Sequence, residues 1–275
     1  MDKSGNIATS NKSPRRKAAM NPKQRIQQIL IIGAASQLSK EVIKSCSDTE
    51  SYKFFLGYFS SKKAMQIAIS FTLLKANQFH MKHIDCRSKI SIDNFFETVS
   101  KKCKYIDHLI YLSGQTQERE TTCNLSWEEM DEMIKINLLG AMYIAKKTLK
   151  LMKRENCINT KSMTFVTSEA GRFGGNGISV YAATKGGLNS FVLGAAREFG
   201  PHNIRVNAVS PGMIETTMNK PKVETKGYCI DRELEHIAPL GRLTKYSDVA
   251  KVVKWIISED SNQISGAIIP VSGGR

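Results

Sequence analysis

Tyr181 and Lys185 stand four residues apart in the stretch Tyr181-Ala182-Ala183-Thr184-Lys185. On a helix, residues i and i+4 share a face, so a phenol and an ammonium spaced this way project together. A free tyrosine, with a pKa of about 10, holds its proton too tightly to be an efficient acid–base group near neutrality. A neighbouring ammonium favours the phenolate and lowers that pKa. The pair alone is a common pattern on exposed helices; its surroundings are not. Ser168 lies thirteen residues upstream, at the end of the apolar run Phe165-Val166-Thr167, where its hydroxyl can hold a substrate carbonyl beside the phenol. Asn137, between Ile136 and Leu138, falls in a long helical segment where asparagine has no propensity advantage. It reads either as a surface residue or, among apolar neighbours, as an inward polar group. Further on, an apolar run ends in Ser210-Pro211-Gly212, followed by Ile214 and Thr216. Backbone groups of that turn and the Thr216 hydroxyl are placed to hold a planar amide.

These residues sit on an alternating frame. Apolar runs of strand length occur at 28–33, 53–59, 106–112, 162–167, 203–209 and 266–271, with a weaker one near 79–84. Helical periodicity lies between them at 38–46, 61–76, 91–103, 126–153, 180–199 and 246–258. Strand and helix taking turns predicts an α/β fold, a parallel sheet covered on both faces. No linker breaks the rhythm, so 28–275 is expected to form one domain. In doubly wound sheets ligands bind beyond the carboxyl ends of the strands, and that is where the residues above fall. The first strand end reads QILIIGAASQLSK from Gln28 to Lys40. A strand, a small-residue turn and a helix start are the arrangement that receives a dinucleotide's pyrophosphate. Such turns usually carry three glycines; this one has only Gly33.

In combination these motifs resemble the short-chain dehydrogenase/reductase family over essentially all of 28–275. Tyr181, Lys185, Ser168 and Asn137 fall on that family's catalytic tetrad, with its usual Ser–Tyr interval. The stretches NAVSPGMIETTM from Asn207 and PLGRLTKYSDVAKVVKWIISEDSNQISGAIIPVSGG from Pro239 are most similar to β-ketoacyl-acyl carrier protein reductases. The resemblance implies a single Rossmann-like, doubly wound domain with a seven-stranded parallel sheet. It implies a hydride passing from nicotinamide to a carbonyl carbon while Tyr181 donates the proton and Ser168 holds the oxygen. Lys185 would tune the tyrosine and bind the nicotinamide ribose, and Asn137 would support a proton-refilling water. Pro211, Gly212, Ile214 and Thr216 would hold the nicotinamide amide.

Aligning Gly33 with the first glycine of the family's loop puts Gln37 and Ser39 on the other two. A Gln37 side chain can obstruct a phosphate. Gly-x5-Ser, however, also resembles the loop of the enoyl-acyl carrier protein reductases, in which a serine near the helix start replaces the last glycine. Only this loop resembles that branch, whose active-site Tyr and Lys are spaced differently. The expectation is a working loop of Gly33, Ser36, Gln37, Leu38 and Ser39, with the Ser39 hydroxyl facing pyrophosphate. After the fourth strand the family's N-N-A-G motif is here Tyr111-Leu112-Ser113-Gly114, which keeps only the glycine, with Ser113 and Gly114 expected beside the cofactor. Asp85 stands after the third strand, where the family places an acid near adenine. The second strand ends in Tyr58-Phe59-Ser60-Ser61-Lys62-Lys63, with no carboxylate to take a ribose 2′-hydroxyl. Hydroxyls and lysines suit a 2′-phosphate, so NADP(H) is expected over NAD(H).

The formal charge is +15. Residues 1–27 hold seven Lys/Arg against Asp2 alone, with almost nothing apolar to bury, and read as a basic, disordered arm. The rest still favours anionic partners, with no nucleic-acid motif and no apolar run long enough to span a membrane. Six cysteines without a C-x-x-C pair or zinc spacing point to packed thiols in a reduced, cytoplasmic setting; His80 and His83 lack companion ligands, so no metal is expected. The 217–238 segment falls on the family's substrate lid, and its Met218, Tyr228, Lys220, Lys222 and Lys226 suit an acyl thioester on an acidic carrier. Lys146, Lys147, Lys150, Lys153 and Arg154 form either a face for an acidic acyl carrier protein or a solvated helix end. A homotetramer or homodimer is implied by resemblance alone. The leading expectation is NADPH-dependent reduction of a 3-oxoacyl thioester in fatty-acid or polyketide-type synthesis. Two other readings stay open: an NAD-linked alcohol or sugar dehydrogenase, and a non-catalytic binding module with a weakened loop.

Overall fold

The computed structural model describes residues 25–47, 51–59, 74–116, 120–153, 161–215 and 237–275. Seven strands form one parallel sheet: β1 (Gln27–Ile32), β2 (Tyr52–Tyr58), β3 (Phe79–His83), β4 (His108–Tyr111), β5 (Lys161–Val166), β6 (Ile204–Pro211) and β7 (Ile268–Val271). Their spatial order is β3-β2-β1-β4-β5-β6-β7. The predicted fold class and all seven strand positions are borne out. Successive side chains of a strand point to opposite faces, and both faces of the sheet are covered, which is why the strands read as apolar-rich runs rather than as a strict alternation. Ile29 and Ile31 face a layer made with helices α1 (Gln37–Cys46) and α7 (Tyr246–Ile257). Leu30 and Ile32 face the opposite layer, with α2 (Lys89–Lys102), α4 (Gly140–Met152) and α6 (Ser179–Phe199). All four β1 side chains are fully buried, each worth about 1.5–3 kcal/mol of transfer free energy.

The strand order reverses between β1 and β4, which opens a crevice at the carboxyl edge. There the chain after β1 and the chain after β4 touch. Gly33 has φ +86°, and a Cβ at that position would lie 2.6 Å from the Ser113 amide nitrogen. The one glycine retained in the loop is therefore the one the crossing requires.

Three boundaries differ from expectation. The single helix expected over 126–153 is α3 (Trp127–Ile134), a π turn over Lys135–Leu139, and then α4. A π turn hides from apolar periodicity because it adds only one residue to a helix. A short helix, α5 (Ala170–Phe173), follows β5 without having been foreseen. At the start, Arg25 pairs with Asp107 at 3.1 Å and Gln28 N donates to the same carboxylate at 2.8 Å. Residues 25–27 thus belong to the folded unit rather than to the arm. The rest of the arm and most of the helix expected at 61–76 lie outside the described residues. Among the described residues, no helix is long and apolar enough to cross a membrane.

Candidate active site

The π turn determines where Asn137 points. Its side chain is fully buried, and each of its polar atoms is used. Asn137 Nδ2 donates to Gln115 O at 2.9 Å and to Thr184 Oγ1 at 3.0 Å, and Oδ1 accepts from Gln115 N at 2.8 Å. Thr184 in turn donates to Tyr181 O at 2.7 Å. Inside the π turn, the Tyr111 hydroxyl donates to Ile136 O at 2.6 Å. The amide therefore clasps the segment after β4 to the first turns of α6. Buried polar groups left open would cost about 1–3 kcal/mol each, so this clasp is stiff.

Helix α6 carries Tyr181 and Lys185. Lys185 is buried; its Nζ donates to Val166 O at 3.1 Å and lies 5.7 Å from the Tyr181 ring centroid. Ser168, beyond the end of β5, accepts from Ala170 N at 3.2 Å, and its hydroxyl shares the cleft with the Tyr181 phenol. Ser168, Tyr181, Lys185, Gly114, Pro211, Gly212 and Ile214 line one cleft. Ile214 is held by a bridge to Thr244, and Gly212 N donates to Val271 O at 3.0 Å. A Cβ on Gly114 would lie 3.2 Å from Lys185 Nζ and 3.4 Å from Asn137 Oδ1. The space in front of the ammonium exists because residue 114 has no side chain.

One electrostatic expectation is corrected. Burial raises the Tyr181 pKa, and the opposing influence is the neighbouring Ser168 hydroxyl, not the lysine. Lys185 is itself brought down to about 8 by burial. Desolvation penalises both charged forms, and at this ring-to-ammonium separation it outweighs their attraction. The phenol is consequently held in its acid form at neutral pH.

The other end of the cleft is looser. Gln37 is exposed at the first position of α1, so it does not fill the turn. Ser36 caps α1, its Oγ accepting from Ser39 N at 3.1 Å. Leu38 and Ser39 are buried beneath the loop. Ser39 is therefore not directed at the crevice as expected, and its hydroxyl has no partner among the described residues. With Ser39 N taken by the cap, the first-turn N–H groups of Gln37 and Leu38 are the ones left open to an anion at the start of α1. Ser113 Oγ accepts from the Cys86 thiol at 3.7 Å. Tyr58, the last residue of β2, is packed in the core with Leu38 and Phe54 and not on the cleft. Asp85 accepts from Arg87 N and Nε at 2.9 Å each, which holds its carboxyl below the usual range. Ser60, Ser61, Lys62 and Thr216 lie outside the described residues, as do Arg154 and the 217–236 part of the lid. Gly33 crosses the chain at Ser113, and the next residue, Gly114, faces Lys185; a nicotinamide nucleotide laid along this edge would have Lys185 at the end away from α1.

Sequence reasoning missed Thr184, Gln115, Arg87 and Glu169. Glu169 is buried, its Oε1 accepts from Ser210 Oγ at 3.0 Å, and its N donates to Pro211 O at 3.0 Å. It ties the Ser168 segment to the end of β6. An acid directly after Ser168 was the available signal.

A family model described as "Enoyl-(Acyl carrier protein) reductase" matches residues 33–275. The chain is similar to the 3-oxoacyl-[acyl-carrier-protein] reductase FabG of Thermotoga maritima, at 33% identity over 66% of this chain and 71% of that protein. It is 27% identical to FabG of Aquifex aeolicus over 89% of this chain and 95% of that one. The human (3R)-3-hydroxyacyl-CoA dehydrogenase is 36% identical over 60% of this chain and 61% of that one. Among solved structures, a short-chain type dehydrogenase/reductase from Mycobacterium ulcerans superposes with a TM-score of 0.80 at 20% identity, covering 91% and 90% of the two chains. The structure titled "ElxO with NADP Bound" gives 0.78 at 24% identity, covering 90% and 98%.

Proposed function

This chain belongs to the short-chain dehydrogenase/reductase family, and from that premise we propose that it reduces a 3-oxoacyl thioester to the 3-hydroxyacyl form with NADPH. The observation that carries the reading is the single cleft that Ser168, Tyr181 and Lys185 line together. A bound reduced nicotinamide supplies the hydride. The protein's own residues do the rest. Tyr181, kept protonated by burial, donates its proton to the carbonyl oxygen as negative charge develops there, a contribution of about 10²- to 10⁴-fold. Ser168 holds the same oxygen with its hydroxyl. Lys185 is largely cationic at pH 7 and binds the ribose hydroxyls in the space that Gly114 leaves. Asn137 fixes Gln115 and α6 in register, so that acid and ammonium keep their spacing.

Relatives named 3-oxoacyl-[acyl-carrier-protein] reductase support the thioester. The Tyr181-x3-Lys185 spacing supports attack at a carbonyl rather than at an enoyl double bond. The human relative's name raises the reverse reaction, oxidation of a hydroxyacyl-CoA. The raised tyrosine pKa favours reduction, because oxidation needs the phenolate as base. For an acidic carrier protein, α4 offers exposed Lys146, Lys150 and Lys153, whereas Lys147 is held by Asp93 at 2.6 Å. We place the enzyme in the cytoplasm and read it as a homotetramer or homodimer; exposed Leu139 and Leu193, beside α4 and on α6, support the oligomer alone.

The test follows oxidation of NADPH and of NADH with acetoacetyl-CoA and with an acetoacetyl carrier protein, comparing the parent with Tyr181→Phe. NADPH-dependent turnover that collapses in the variant is the expected result. Tight nucleotide binding without turnover of either thioester would remove the substrate assignment.

A further inference from the structure

The residue that follows β2 is Phe59, and its ring is 55% exposed. This is the position next to which an adenosine ribose lies in a doubly wound dinucleotide fold. Gly57, two residues earlier, accepts from the Gly33 amide at 3.0 Å, so Phe59 stands beside the loop at the start of α1. A guanidinium covers the ring. Arg87, from the segment between β3 and α2, has its Cζ 4.7 Å from the Phe59 centroid. The His83 ring centroid lies 5.8 Å from that of Phe59. Arg87 Nη2 is 2.9 Å from Asp85, and Nη1 pairs with Glu132 of α3.

A purely structural role explains this cluster poorly. The Arg87 side chain is 32% exposed and that of Glu132 37%, and exposed ion pairs add little to stability. A planar guanidinium is, however, the group that stacks on an aromatic face and binds a phosphate with two parallel hydrogen bonds. We propose that Arg87 is the specificity-determining residue for a 2′-phosphorylated adenosine: it keeps its stack on Phe59 and its bond to Asp85, and exchanges Glu132 for the 2′-phosphate. Glu132 is then a competitor for the same guanidinium edge. The two partners should act with opposite signs, and a mere salt bridge has no reason to show that. The inference deepens the NADPH reading and rests on nucleotide binding, not on the identity of the carbonyl substrate.

The experiment is calorimetric titration of the full chain with adenosine 2′,5′-bisphosphate, 5′-AMP, NADPH and NADH, for the parent, Arg87→Gln and Glu132→Gln. Arg87→Gln should weaken the bisphosphate and NADPH by about 10- to 100-fold, and leave 5′-AMP and NADH within about twofold. Glu132→Gln should tighten the two 2′-phosphorylated ligands several-fold and leave the other two unchanged. Equal weakening of all four ligands by Arg87→Gln, or no weakening of any, overturns the assignment. If Arg87→Gln does not fold, Glu132→Gln decides alone: loss or no gain of bisphosphate affinity overturns it. A parent that binds no nucleotide removes this proposal and the NADPH reading together. A parent that binds NADPH through Arg87 yet reduces no thioester upholds this proposal and removes only the substrate.

Discussion

The Tyr181 end of the cleft and the Gly33–Asp85 end are built on opposite terms. Around Tyr181 the polar groups are buried and mostly bonded to one another: Asn137 makes three hydrogen bonds, Lys185 Nζ donates to Val166 O, and Glu169 Oε1 accepts from Ser210, with its Oε2 left without a partner among the described residues. Around Gly33 and Asp85 the side chains meet water: Gln37 and Phe59 are exposed, and Arg87 is shared between two partly exposed acids. An unpaired group in a low-dielectric interior carries its full desolvation penalty, whereas an exposed one is solvated instead. Identity is therefore dictated at the first end and negotiable at the second. The chain brings Ser168, Tyr181, Lys185 and Asn137 together beside a loop with one glycine where three are usual.

The sharpest way to break this contrast is Tyr181→Phe. Turnover should fall by roughly two to four orders of magnitude, with NADPH affinity by titration and melting temperature nearly unchanged. A variant that keeps a tenth of parental activity would show that another group supplies the proton. Asn137→Ala is next: it opens three buried hydrogen bonds, and the melting temperature should drop by about 5–10 °C, with turnover falling alongside. A drop under about 2 °C would mean the clasp is not rigid. Lys185→Met probes the cost of burying a cation. With a native pKa near 8 against 10.5 for a free lysine, the folded state sheds its proton first. The destabilisation is thus fully present below pH 8 and is relieved as pH rises toward 10.5. At pH 7 the variant should melt higher than the parent, the gap should close by pH 10, and nucleotide affinity should be lost. Parental turnover should decline as pH passes about 8, where the ammonium loses its charge. A gap that widens with pH would reverse the sign. The smallest effect belongs to Gln37→Gly: because the side chain faces outward, NADPH affinity should stay within about threefold. A tenfold gain would mean that Gln37 blocks the phosphates after all.

How far the sequence could be read follows the same division. Strands β1, β4, β5 and β6 are buried on both faces and announce themselves as runs rich in apolar residues, unbroken only over Ile29–Ile32 of β1. Edge strand β3, with His80 and His83 exposed, gives only the weak run seen near 79–84. Tyr181, Lys185, Ser168 and Asn137 were legible because their spacing on helix and strand ends is local. The Glu169–Ser210 contact joins residues 41 positions apart, and no local pattern encodes it. The sign of the Tyr181 shift was illegible for another reason: the spacing shows the ammonium but not how dry the site is. Tyr58 was assigned to the cleft because the run ends there, yet pleating turns it into the core. Phe59 and Arg87 were passed over because they sit on different strand ends and meet only when β2 and β3 pair.

The π turn at Lys135–Leu139 makes this chain sensitive to length in a way that point substitutions do not probe. An ordinary α-helix advances by about 100° per residue. Deleting one residue there would restore a regular screw while twisting everything upstream by about that angle against α4. Such a shortened chain would stay helical by circular dichroism and keep its composition, yet its asparagine would swing out of reach of Gln115. Counting residues, not only naming them, is what keeps the reaction centre assembled.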